Sequence, residues 1–339
     1  MDEPGGKPLW IVTGAAGFLG NNLVRTLLER GHRVRACVIE DDTPASLAGL
    51  DCEVVRMDLT DPASVRSALG HPSSTTAFVV HCAGIVSIAS KVSPLVQRIN
   101  VGGTDNILAA CRSEGVARLA YISSVHAIPE PDPPATIVEV DDPTAFDPDA
   151  VVGEYARTKA AATGLVLAAD DLWRVVIHPS GMIGPKDFGD THMTRMVKDA
   201  SSGSLAAVVD GGYDFVDVRD VAAGIVAALE TGTSGHCYIL SNRYFPVVEL
   251  VGQVTALAGR RLPVKIPMWL ARATAPLAEW VAKLRGVSPL YTGYSLRTLH
   301  SPSDFSHERA TRELGYHPRP MSETLADTVA WLRSSRQTP

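Results

Sequence analysis

Tyr155 and Lys159 stand four residues apart in the run Tyr155-Ala156-Arg157-Thr158-Lys159, so on a helix they share a face. A phenol ordinarily ionises near pH ~10 and a lysine ammonium near ~10.4, so neither alone is a base at neutrality. An ammonium beside a phenol favours the phenolate and lowers its pKa, which makes the pair an acid/base unit near neutral pH. A second chemical feature lies near the start of the chain, Thr13-Gly14-Ala15-Ala16-Gly17-Phe18-Leu19-Gly20. Glycines at this spacing, between a strand-like run and a helical pattern, permit a tight turn and close backbone approach to a pyrophosphate held at a helix N-terminus. Alone, the Tyr/Lys pair would read as an exposed helical pair without a role. With the glycine turn upstream it reads as half of a hydride-transfer site.

The elements that must position these residues follow a regular rhythm. Residues 9–13, 33–39, 53–57, 77–82, 119–123 and 173–178 read as strands, and 21–30, 64–69, 101–114 and 155–169 as helices, with a short helix at 45–50. Strands alternating with helices imply right-handed crossovers and a parallel sheet covered on both faces. That is the doubly wound α/β (Rossmann) fold, whose ligands sit beyond the C-terminal ends of the strands. Residues 1–184 are expected to form the dinucleotide-binding domain with the catalytic helix. Residues 185–339 are expected to be mainly a smaller C-terminal substrate lobe, with segments near 214–240 returning to the core. Residues 129–149, rich in proline and acid, read as a long surface loop over the site or as a disordered insertion. Residues 220–230 and 323–333 read as helices; the apolar stretch 266–285 reads either as a lid over an apolar ligand or as a core-packing helix.

Bulk properties narrow the classes. The chain has 339 residues, 45% hydrophobic and 20% charged, which suits a packed globular protein. A net charge of -6 argues against a nucleic-acid partner, whereas backbone amides can hold a pyrophosphate without net positive charge. The five cysteines are scattered and odd in number, and the ten histidines show no HExxH spacing, so neither disulfides nor a metal is expected. No signal-peptide pattern and no apolar run long enough to span a bilayer is present, so a cytoplasmic location without an integral membrane span is expected.

The glycine turn TGAAGFLG resembles that of the extended short-chain dehydrogenase/reductase family, the NAD-dependent epimerase/dehydratase superfamily. Further pieces follow in the family's order: Asp58-Leu59, His81-Cys82-Ala83-Gly84, Asn100, Ser123-Ser124 and the Tyr155/Lys159 signature, covering nearly the whole chain. The resemblance implies a small-molecule substrate and NAD or NADP as cofactor. The cofactor would be held by Gly14, Ala16, Gly17, Phe18, Leu19, Gly20, Glu40, Asp58, Leu59, Cys82, Ala83, Gly84, Asn100, Ser123, Tyr155, Lys159, Pro179 and Met182. It makes Ser124, Tyr155 and Lys159 the catalytic trio, with Lys159 also on the nicotinamide ribose and Ser124 on the substrate oxygen. Ser123 is the rival for the serine role; Ser124 is preferred because the family's catalytic Ser or Thr usually comes last in the run. Family members often dimerise through two helices per subunit, here 101–114 and 155–169, so a homodimer is expected. Neither common cofactor marker is present at Val38 or Ile39, but the acidic run 40–42 would repel a 2'-phosphate and could accept a ribose hydroxyl bond, which favours NAD.

The branch is read from departures. His178-Pro179-Ser180-Gly181-Met182-Ile183-Gly184-Pro185 replaces the family's RPxNVYGP, and nucleotide-sugar enzymes usually carry Asn where Gly181 stands. Their usual VYG after the serine is here Val125-His126-Ala127, and the acidic pair of the dehydratases is missing. The segment, like residues 305–316, resembles dihydroflavonol reductase-like and 3β-hydroxysteroid dehydrogenase-like members. An oxidoreductase acting on the carbinol or ketone of a bulky, mainly apolar substrate is therefore expected, bound by Ser124, His126, Tyr155 and Gly181. His126 and Tyr213 read either as pocket lining or as structural residues. Residues 215–221 match the family's FVHVRDVA, with Asp217 for the usual His, and support the fold of the lobe. The alternatives are a nucleotide-sugar epimerase and a non-catalytic dinucleotide-sensing regulator, though such regulators typically lose the tyrosine.

Overall fold

A computed structural model describes residues 7–39, 44–86, 93–131, 135–271, 273, 274, 299 and 303–335. Seven strands form the central sheet: β1 (Leu9–Thr13), β2 (Arg33–Val38), β3 (Glu53–Arg56), β4 (Ala77–His81), β5 (Arg118–Ile122), β6 (Arg174–Pro179) and β10 (Cys237–Leu240). Their order is β10-β6-β5-β4-β1-β2-β3, with every pairing parallel. β1 is buried at all five positions, because both faces are covered, and it accordingly reads as an unbroken apolar run. The strand order reverses between β1 and β4, which opens a crevice at their C-terminal ends.

On one face α1 (Phe18–Glu29) packs against α7 (Val218–Thr231), sealing a core that includes Trp10, Leu23, Ile177 and Ile225. On the other face lie α2 (Pro62–Leu69), α4 (Gly103–Glu114) and α5 (Glu154–Ala168). A short α3 (Pro94–Gln97) and a π-helical turn (Arg98–Gly102) precede α4, so the helix expected from 101 has a wider first turn that Asn100 occupies. Such π turns are frequent at functional sites.

The C-terminal part adds a three-stranded sheet of β7 (Gly181–Ile183), β9 (Gly212–Asp217) and β11 (Arg243–Pro246). A second small sheet pairs β8 (Ala207–Val209) with β12 (Val264–Ile266). Around them sit α6 (His192–Ser202), α8 (Val247–Ala258), α9 (Glu308–Leu314) and α10 (Met321–Ser335). Within the 214–240 segment β10 joins the main sheet and α7 covers it, whereas β9 stays in the small sheet.

Three readings change in detail. The short helix expected at 45–50 is one 3-10 turn, Pro44–Leu47. Of the proline- and acid-rich stretch, residues 139–141 lie along the outer edge of β10, while Phe146 reaches the His178 ring beside Ser124. The amides of Cys237 and Ile239 donate to the carboxylates of Asp141 (2.7 Å) and Glu139 (3.2 Å). Alternate amides of an edge strand point outward and need acceptors, and two carboxylates two residues apart supply them. Arg309 fastens Asp141 from the other side at 2.6 and 2.8 Å, and Ile137 bridges Phe305. Of the apolar stretch 266–285, Met268 and Ala271 pack with Val209 and Ile266 while Trp269 is exposed. Beyond residue 274 that stretch lies outside the described residues, as do Glu40, Asp41 and Asp42.

Candidate active site

The glycine turn follows β1, and its geometry allows little else. Gly14 adopts a left-handed φ of +64°, and a Cβ there would stand 2.7 Å from the Ala83 Cα. A Cβ on Gly20 would lie 2.1 Å from the Gly14 carbonyl oxygen, so α1 packs against its own entry turn only without a side chain. Gly17 caps α1 without a side-chain hydrogen bond, and the first turn holds no acid. The amides of Phe18 and Leu19 therefore start a positive helix end left open to an anion, which fits a pyrophosphate. Ala16 is tied to the following 3-10 turn through Ser46 Oγ (3.1 Å).

His81 ends β4 in a bond chain that fixes its tautomer. Thr104 Oγ1 donates to the Asn100 carbonyl (2.7 Å), so His81 Nε2 donates to Thr104 Oγ1 (3.1 Å). His81 Nδ1 then accepts from Thr13 Oγ1 (2.8 Å), which in turn accepts from the Ala83 amide (3.1 Å). Burial keeps this ring neutral, with its pKa pushed down to about 3. The chain joins β1, β4 and α4 directly beneath the turn Cys82-Ala83-Gly84, and burial pushes the Cys82 thiol up to about 12, leaving it an apolar wall. Asp58 is exposed at the end of β3. Its carboxylate accepts from the Thr60 amide (2.8 Å) and hydroxyl (2.7 Å), and these bonds hold its pKa below the usual range. Leu59 is buried against Gly103, below the same rim.

Asn100 links this side of the crevice to α5. Its Oδ1 accepts from the Ile85 amide (2.8 Å), while Nδ2 donates to the Ile85 carbonyl (3.0 Å) and to Thr158 Oγ1 (3.0 Å). Thr158 Oγ1 donates in turn to the Tyr155 carbonyl (2.9 Å). Lys159 is buried, its Nζ donating to the Ile122 carbonyl (2.6 Å) and lying 4.9 Å from the centre of the Tyr121 ring. Burial draws its pKa down to about 8, so the ammonium still prevails at neutrality. A Cβ built on Gly84 would stand 3.2 Å from Asn100 Oδ1 and 3.6 Å from Lys159 Nζ. The glycine of the β4 turn, the asparagine and the lysine thus meet at one point. Tyr155, one turn before Lys159 on α5, is half-buried.

The two serines separate clearly. Ser123 Oγ is spent on a buried 2.7 Å bond to Thr163 Oγ1 of α5. Ser124 Oγ accepts from the His126 amide (3.2 Å), which leaves its own proton to donate. The Ser124 carbonyl accepts from the Ala127 amide (3.0 Å) and lies 2.9 Å from His178 Nδ1. Burial lowers the His178 pKa to about 4, so the neutral ring places its single proton on Nδ1 to make that bond. Phe146 covers this imidazole face to face, 5.6 Å between ring centres and 4° between planes. Sequence reading missed the parts played by His178, Phe146, Thr158 and Thr163. The signal for Thr158 and Thr163 was present, as hydroxyls on the buried face of α5 at positions 3 and 8 after Tyr155.

On the lobe side, Tyr213 stacks on His126 (5.4 Å, 16° between planes) and meets Phe215 and Phe305 edge-on. Burial lowers the His126 pKa to about 4. Pro179 ends β6 in the buried layer, and Met182 is partly exposed beyond it. A Cβ on Gly181 would lie 2.8 Å from the Phe215 ring and 3.0 Å from the Asp214 carbonyl oxygen, so Gly181 offers backbone only and an asparagine there would displace the wall. Ser180 Oγ donates to Asp214 (2.5 Å), whose pKa burial raises to about 6. Asp217 caps α7 through the Arg219 amide (2.8 Å) and pairs with the Arg219 guanidinium (2.7 Å), a structural use of the family's usual His position.

Residues 10–241 match the profile of the NAD dependent epimerase/dehydratase family. Sterol demethylase protein B of Methylococcus capsulatus is 32% identical over 328 residues, covering 95% of this chain and 98% of that protein. The 3 beta-hydroxysteroid dehydrogenase/Delta 5-->4-isomerase of Mycobacterium tuberculosis is 29% identical over 331 residues, covering 91% of this chain and 85% of that one. The crystal structure of gox2253 is 31% identical and superposes with a TM-score of 0.81, covering 98% of this chain and 100% of its own.

Proposed function

The chain belongs to the NAD dependent epimerase/dehydratase family, and we propose that it is an NAD(P)-dependent dehydrogenase or reductase whose chemistry runs through Ser124, Tyr155 and Lys159. One observation carries the assignment: Lys159 Nζ and Asn100 Oδ1 converge on Gly84, in the turn that Gly14 packs against. The acid/base helix therefore abuts the cofactor crevice. The nicotinamide ring of a bound NAD or NADP supplies the hydride for reduction and accepts it in oxidation. In reduction the Tyr155 hydroxyl gives its proton to the substrate oxygen. The Lys159 ammonium stabilises the phenolate left behind, and Ser124 Oγ donates to the same oxygen as its charge develops. Oxidation reverses each proton movement.

The substrate is a bulky, mainly apolar carbinol or ketone. The closed wall of Phe215 over Gly181 and the ring stack of His126 and Tyr213 support this, as do relatives named for sterols and hydroxysteroids. A nucleotide-sugar epimerase is the weaker reading, because the side chain such enzymes usually place at Gly181 has no room. NAD is the preferred cofactor, the working unit a cytoplasmic homodimer packed through α4 and α5. The test is spectrophotometric: oxidation of NADH and NADPH against ketosteroids, flavanonols and simple ketones. Tyr155→Phe should abolish turnover and leave NADH binding intact; a variant as active as the parent protein would refute the assignment.

A further inference from the structure

The C-terminal lobe carries an exposed surface that the hydride chemistry does not use. Within residues 257–270, Leu257 is 45% exposed, Leu262 52%, Val264 70%, Trp269 70% and Leu270 36%. Five large apolar side chains exposed within fourteen residues of chain are a concentration of apolar surface of the kind that marks an interaction site. The segment is anchored from behind. β12 pairs in parallel with β8, and Ile266 and Met268 pack with Val209 and Ala271. The anchored side chains fix the backbone, so Val264 and Trp269 protrude from a supported platform.

Charge selects the partner. Arg260 and Arg261 are exposed beside these residues, and the exposed Arg333 donates to the Leu257 carbonyl (3.0 Å), bringing a third guanidinium to the same edge. Lys265 is neutralised by Asp210 at 3.0 Å. The chain as a whole carries a net charge of -6, yet no carboxylate stands between Glu249 and Glu279 in its sequence. Residues 250–278 therefore contribute only basic charges of their own on an acidic protein. Two copies facing each other through this surface would oppose like charges. Tryptophan and aliphatic side chains rimmed by arginines are the composition that inserts at a negatively charged lipid headgroup boundary. Among the described residues no helix is long and apolar enough to cross a membrane.

We propose that residues 257–270, with Arg333, dock the protein on an anionic bilayer surface. The contact does not depend on which substrate the active site takes. The test is co-sedimentation of the full chain with phosphatidylcholine vesicles, with and without phosphatidylglycerol. Binding is expected only with the anionic lipid, weakening as salt rises. Trp269→Ser should weaken it about tenfold or more through lost apolar burial. Arg260→Gln and Arg261→Gln should each weaken it about fivefold. Turnover of a water-soluble ketone should be unchanged in all three, which reports an intact fold. Absence of binding by the parent protein would overturn the proposal, as would binding that these variants leave untouched. A concentration-dependent mass by light scattering that Trp269→Ser abolishes, without vesicle binding, would assign the patch to a second copy instead.

Discussion

Removing the Asn100 side chain gives the most informative single perturbation of the site. Asn100→Ala deletes three hydrogen bonds, two to Ile85 and one to Thr158. At about 1 kcal/mol net for each bond the loss is about 3 kcal/mol, at the low end because Ile85 is partly exposed and water can reach its orphaned amide. Expressed wholly in the transition state, that is about two powers of ten in rate. Some of it will appear as stability, so kcat is expected to fall about tenfold to a hundredfold. Thr158→Val deletes the bond shared with Asn100 and the bond to the Tyr155 carbonyl and should cost about 2 kcal/mol. The double variant should cost about 1 kcal/mol less than the sum, because the shared bond can be lost only once. Steady-state rates, NADH affinity and urea denaturation, measured on all four proteins, separate these terms. If Asn100→Ala unfolded more readily but kept its kcat, Asn100 would be a structural residue only. If the cycle were additive, the link between the cofactor turn and α5 would be wrong.

Other outcomes follow from the same geometry. Ser124→Ala should lower kcat by about a hundredfold through loss of a donor to the developing charge, whereas Ser123→Ala should cost about 1 kcal/mol of stability and little rate; equal rate losses would contradict the assignment. Lys159 has its pKa lowered to about 8, so its charge is complete below that value and lost as pH rises through it. The reductive kcat/KM of the free enzyme should therefore fall on the alkaline side, and Lys159→Arg, whose guanidinium stays charged, should move that limb out of range. A limb unmoved by that substitution belongs to another group. Gly20→Ala should weaken NADH binding sharply by forcing α1 off the Gly14 carbonyl, with protein stability falling by roughly 1–3 kcal/mol; isothermal titration that found unchanged affinity would remove the glycine turn from the cofactor site.

The sequence by itself determined the sheet, the glycine turn and which side chains are proposed to react. A short apolar run such as residues 9–12, alternating with helical patterns, reads as a strand buried on both faces, and glycine at positions 14 and 20 answers local demands of backbone conformation and packing. The four-residue spacing of Tyr155 and Lys159 is likewise a local property of a helix. What only the tertiary structure decided is which neighbours each group has. Nothing in the spacing tells that Ser123 is consumed by Thr163, forty residues away, or that His178 and Phe146 hold the carbonyl of Ser124. Nor does it tell that Phe215 fills the space beside Gly181, or that Glu139 and Asp141 serve as acceptors for an edge strand. Those contacts join residues far apart along the chain, and their energies depend on burial and hydrogen-bond geometry that exist only once the strands have been brought into register.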